Sequence, residues 1–194
     1  MSAGWIVAIV IAVIVILLVA LVMVTYNNLV RLNERVNEAW SDITVQLKYR
    51  ADLIPNVVET VKGYAKHEKS AFEDVTKARA AVMGAKDVKG AAEAERSLEG
   101  ALSKIFAIAE AYPELKANTN FQQLQLQLQD VEDKIQAARR FYNAGAKELN
   151  AKVQMFPSNI INNMFGHFEK REYFEVPESE KATIEKAPEV KFDN

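Results

Sequence analysis

The residues WIVAIVIAVIVILLVALVMV, Trp5 to Val24, run on into TYNNLVRLNERVNEAWSDITVQLKYRA, Thr25 to Ala51, without a glycine or proline. Their reading decides the fold. The first part carries no charged, amide or hydroxyl side chain, and as a helix it reaches about 30 Å, the thickness of a bilayer's hydrocarbon core. Trp5 and Tyr26 stand at its two ends, where amphipathic rings settle at the membrane–water interface. A buried core helix rarely runs this far without a polar group. A secretory signal fits no better: Met1 to Gly4 hold no basic side chain, and Val22 to Tyr26 lack a small-residue cleavage site. The expectation is a transmembrane anchor over 1–26 that meets lipid through residues 5–24 and makes this a single-pass protein of the cell (inner) membrane. No Lys or Arg precedes the span, whereas Arg31, Arg35, Lys48 and Arg50 follow it. The positive-inside rule therefore puts the N-terminus outside and the remainder in the cytoplasm.

Beyond the span the apolar positions Leu29, Leu32, Val36, Ala39, Trp40, Ile43 and Leu47 recur in steps of three and four, which places them on one helical face. The anchor and this face read as one helix about 70 Å long. Pro55 suits the first turn of a second helix and restricts Ile54, so a break is expected at Asp52–Pro55. The second helix stops at a loop framed by Gly84 and Gly90, and the third ends before Pro113. A fourth opens near Asn118–Asn120, with Thr119 and Asn120 as caps, and carries the near-heptad seam Leu124, Leu128, Val131, Ile135, Ala138, Tyr142, Gly145 and Leu149. The fold class is all-α: an N-terminal transmembrane helix continuous with an antiparallel four-helix bundle over 27–175, its helices at 27–51, 55–83, 91–111 and 119–155. Residues 176–194, rich in Glu, Lys, Pro and Ala, read as a disordered tail.

The 194 residues leave enough chain behind the anchor for one domain with a core, at an ordinary 26% charged and 49% hydrophobic. A net charge of −2 and interleaved acids and bases offer no stripe for a phosphate backbone, so nucleic acid is not an expected partner. Cysteine is absent, which removes disulfides, thiolate metal sites and thiol nucleophiles. His67-Glu68 begins like a zinc-protease motif, but Ala71 stands where the second histidine belongs, and His167 lies far away. Glu132, Asp133 and Glu148 lack the Glu-x-x-His partner of a di-iron site. No phosphate-binding glycine loop and no nucleophile elbow occurs. Neither a catalytic residue nor a metal or other cofactor is expected.

The segments YNNLV (26–30), AWSDI (39–43), RADLIPN (50–56), VKGYAKHE (61–68), VTKAR (75–79), EAYPELKAN (110–118), ARRFYN (138–143), FPSN (156–159) and YFE (173–175) resemble the LemA family, in order over roughly 3–176. His167 departs from that pattern, in which glycine and aromatics are expected around Phe165–Phe168, and the tail is idiosyncratic. The resemblance implies a membrane-anchored four-helix bundle with the N-terminus outside, no established catalytic residue or cofactor, and a structural or organising part at membranes.

Trp40 and Ile43 belong to the core face, while Arg50, Lys62, Tyr64, His67, Glu68, Asn143 and Asn159 are harder to bury. They bind a partner or satisfy buried polar groups. The fourth helix, longer than the third, should bring its C-terminal end to the membrane surface. The apolar residues that follow, Phe165 and Phe168 among them, then either cap the open end of the core or lie in the interface. The expected function is a non-enzymatic scaffold presenting a helical surface to an unidentified membrane or envelope protein; the alternative is a homo-oligomer that organises or shapes the membrane.

Overall fold

The computed structural model describes residues 3–175, which are helical almost throughout. In chain order they form α1 (Ala3–Lys62), α2 (Lys69–Gly84), α3 (Val88–Ala111), the single turn α4 (Pro113–Lys116), α5 (Thr119–Lys152), the single turn α6 (Ser158–Ile161) and a π-helical turn, Asn162–Gly166. No strand occurs among the described residues. The tail expected over 176–194 lies outside them.

The N-terminal part of α1 is long and apolar enough to cross a membrane, and among the described residues nothing buries it. Burial starts at Leu29 and continues through Leu32, Val36, Ala39, Ile43 and Leu47, the face set by the three–four spacing. Each Leu, Ile or Val among them withdrawn from water contributes about 1.5–3 kcal/mol.

Pro55 does not break this helix. The expected boundary at Asp52–Pro55 is overturned: α1 continues to Lys62, and α2 starts at Lys69 rather than 55. A proline inside a helix withholds the N–H that the carbonyl four residues earlier would accept, here that of the fully buried Ala51. Arg79 of α2 supplies the missing donor, its Nε–H bonding to the Ala51 carbonyl at 2.8 Å, while its Nη2 lies 3.9 Å from Asp52. The chain leaves helical geometry only at Gly63, where the N–H groups of Tyr64 and Ala65 both bond to the Val61 carbonyl.

The remaining boundaries shift by a few residues. The loop framed by Gly84 and Gly90 shortens to Ala85–Asp87, because Asp87 caps α3 by accepting from the Gly90 N–H at 2.6 Å. Asn118, rather than Thr119 or Asn120, caps α5 through the Phe121 N–H at 3.1 Å. That helix stops at Lys152 rather than 155.

Long-range pairs fix the directions of the helices. On α1 and α5, Arg50 faces Glu132 (2.6 Å), Trp40 faces Tyr142, Val36 faces Gly145 and Arg35 faces Glu148. The two therefore run antiparallel in one continuous register. Gly145 permits the approach, since a Cβ there would stand 3.3 Å from a Val36 methyl. Lys62 over the Phe72 ring and Arg79 at Ala51 set α2 antiparallel to α1. Lys104 with Asp74 ties α3 to α2, and the Phe106–Phe121 rings, 6.3 Å apart, join α3 to α5.

Candidate functional site

Behind α5 the chain folds into a strap that returns along the seam of α1 and α5. Ser158 starts the reversal, its hydroxyl donating to the carbonyls of Lys152 (2.6 Å) and Met155 (2.9 Å). α6 and the π-helical turn follow, and His167 then takes a left-handed conformation, φ 51°. From Phe168 to Glu175 the backbone forms no helix or strand, and three asparagines act in place of a ladder partner. Asn162 accepts from the Phe168 N–H and donates to its carbonyl (2.9 and 3.1 Å). Asn150 does the same for Arg171, both at 2.8 Å, and also donates to the Tyr173 hydroxyl. Asn143 does it for Phe174, both at 2.9 Å. A carboxamide carries one acceptor and two donors side by side, so it matches the N–H and C=O of a single residue.

Between these brackets the strap's side chains close over α1. Phe168 meets Tyr26 with ring centroids 6.4 Å apart. The Arg171 guanidinium donates to the side-chain oxygens of Asn33 (2.8 Å) and Asn37 (3.1 Å). Phe174 stacks on Trp40 and meets the Tyr142 ring edge-on, with the Arg139 guanidinium over its outer face. Burial of Tyr142 pushes its hydroxyl pKa upward. The reversal also turns apolar groups outward: Phe156 is 78% exposed and Met164 64%, with Met155, Ile160 and Phe165 close behind.

The six residues singled out from the sequence lie in three places. Lys62, Tyr64 and His67 sit exposed at the end of α1 far from the apolar span; the Tyr64 hydroxyl accepts from Asn118 at 2.9 Å. Phe165 and Phe168 lie in the strap at the opposite end, the first exposed and the second half-buried against the core. Arg50 lies between, buried, its Nη1 pairing with Glu95 (3.3 Å) and Glu132 (2.6 Å). Glu95 pairs in turn with Arg139, making an alternating row of two cations and two anions across α1, α3 and α5. Burial, and secondarily the nearby Arg50 cation, pulls the Arg139 pKa down to about 10, which leaves it charged at neutral pH.

Sequence reasoning passed over Glu95, Asn150 and Asn162, and placed Arg79 on the second helix without giving it a partner. Glu95 had a legible signal: it occupies a core position of α3, four residues after Ala91 and three before Leu98. The asparagines had none, because their partners are backbone groups.

Along the α3–α5 seam runs an open cleft of about 720 Å³, lined by Arg50, Leu102, Phe106, Gln122, Leu128 and Glu132. Its one buried cation is already neutralised by two carboxylates. Among the described residues no three His, Cys, Asp or Glu side chains come together as metal ligands.

The class this geometry defines is an all-helical protein with one helix long and apolar enough to cross a membrane, running directly into a packed helical core. Residues 39–192 match the LemA family, and the chain belongs to that family. It is similar to Protein LemA of Metamycoplasma hominis, 29% identical over 140 residues that cover 70% of this chain and 62% of the relative. It is also similar to Magnetosome protein MamQ 2 of Paramagnetospirillum magneticum, 25% identical over 187 residues covering 83% of this chain and 68% of that protein. Magnetosome protein MamQ of Magnetospirillum gryphiswaldense is 25% identical over 178 residues, 78% of this chain and 65% of the relative.

Proposed function

We propose that this LemA-family chain is a non-enzymatic, membrane-anchored scaffold. Residues 5–24 cross the cell membrane once, and α1, α2, α3 and α5 form one antiparallel four-helix bundle that offers its outer surface to other membrane or envelope proteins. The observation that carries this reading is the continuity of α1 from Ala3 to Lys62. Leu29, where burial starts, follows Val24 by about 8 Å of helix. An uninterrupted helix does not hinge there, so the span sets the distance and tilt of the bundle. Photo-crosslinkers at the exposed Tyr49, Leu126 and Phe141 of the full-length chain in cells should capture one defined protein. Capture of nothing above background refutes the scaffold.

Exposed Val45 on α1 and Leu126 on α5 support a second reading, self-assembly into a membrane-organising oligomer. Crosslinks between copies, with a mass above the monomer in light scattering, would establish it; a monodisperse monomer would refute it. We place the bundle in the cytoplasm and the N-terminus outside. Lys86→Cys, in a chain with no other cysteine, should resist an impermeant thiol reagent in intact cells and react after lysis. Labelling in intact cells reverses the orientation.

A further inference from the structure

We propose that the reversal between α5 and the strap is a second membrane contact, a collar of apolar side chains that lies in the lipid interface beside α1. The inference rests on the reading of residues 5–24 as a span. Its first support is the register of α1 against α5. Arg50 stands opposite Glu132, Trp40 opposite Tyr142, Val36 opposite Gly145 and Arg35 opposite Glu148. Each step down α1 is a step up α5, so the same register carries residue 155 to the level of residue 27, where the apolar span ends. The second support is the other end of the segment, since Phe168 touches the ring of Tyr26. Residues 155–168 are thus held at the foot of the span from both sides, and α6 and the π-helical turn both pack on α1.

What this segment turns outward is not what a water-facing reversal carries. Phe156, Met164, Met155, Phe165 and Ile160 are each about half exposed or more, whereas two polar groups of the same stretch, Ser158 and Asn162, are buried and bonded to backbone and Asn163 and His167 are exposed among the apolar side chains. A contiguous exposed apolar patch marks an interaction surface. Its continuity with the span selects lipid as the occupant, because aromatic and aliphatic groups at this depth enter the headgroup–acyl boundary. Phe168 and Phe174 face the protein core instead, so one segment closes the bundle and touches the membrane with different side chains.

Because the chain lacks cysteine, single cysteines introduced into the full-length protein carry a nitroxide label without further changes. Phe156→Cys, Met164→Cys and Phe165→Cys, reconstituted in phosphatidylcholine vesicles, are compared with Val13→Cys in the span and Met83→Cys at the end of α2. All five native side chains are exposed, so the labels disturb no core. Collision with oxygen, which concentrates in lipid, is measured against collision with a water-soluble nickel chelate. The collar labels should collide with nickel several-fold less than the Met83 label and with oxygen more. Nickel collision equal to that at Met83 at all three positions, with Val13 shielded, would overturn the collar and leave the span intact. Nickel access at Val13 would overturn the span, and the collar with it.

Discussion

Replacing Arg79 with methionine keeps the unbranched stem out to the position of Nε and removes the donor that the Ala51 carbonyl depends on. In the folded protein this carbonyl is buried, its helical partner position is Pro55, and the Arg79 Nε–H at 2.8 Å is its hydrogen bond. A buried acceptor left unpaired costs about 1–3 kcal/mol. The Arg79–Asp52 contact is long and half exposed, so it adds at most a few tenths of a kcal/mol. The expected loss is therefore about 2 kcal/mol, or roughly 4–8 °C in melting temperature for a domain of this size. Urea titration of the detergent-solubilised full-length protein, followed by far-UV circular dichroism, measures it. The decisive step repeats the change in a Pro55→Ala background. Alanine restores the N–H that bonds to Ala51, so Arg79→Met should then cost less than half as much. Equal losses in both backgrounds, with coupling below about 0.5 kcal/mol, would refute the claim that Arg79 completes the helix at Pro55.

Glu95→Gln should cost about 3–5 kcal/mol, because it removes the carboxylate that stands between the Arg50 and Arg139 cations and leaves Glu132 paired with Arg50 alone. Glu95→Leu with Arg139→Met should cost less than Glu95→Gln alone, which the same titration tests. His167→Gly should stabilise by about 1 kcal/mol, since φ 51° suits glycine, the residue type the LemA pattern expects in this stretch; an unchanged urea midpoint would contradict it. Tyr142 has a raised folded pKa from burial, so its contribution is complete below the ordinary value of about 10 and is lost as the pH rises through the folded value. Wild type should therefore lose stability relative to Tyr142→Phe above about pH 10 and not below, read from paired thermal melts.

The residues themselves determined the apolar span, the core face of α1 from Leu29 to Leu47 and the seam of α5, because each depends on an unbroken run or a repeat within one helix. Family membership was also legible in the motifs. Pro55 misled for a physical reason: its missing N–H is local, but the donor that makes the loss tolerable sits on another helix, 28 residues beyond the Ala51 carbonyl it serves. Arg50 read as hard to bury, and only packing brought Glu95 and Glu132 to it from α3 and α5. The strap was least legible of all. Asn143, Asn150 and Asn162 each bracket the backbone of a residue whose side chain plays no part in the bond. Hydropathy and spacing record side chains, so a segment held by its backbone becomes visible only once the helices are in place.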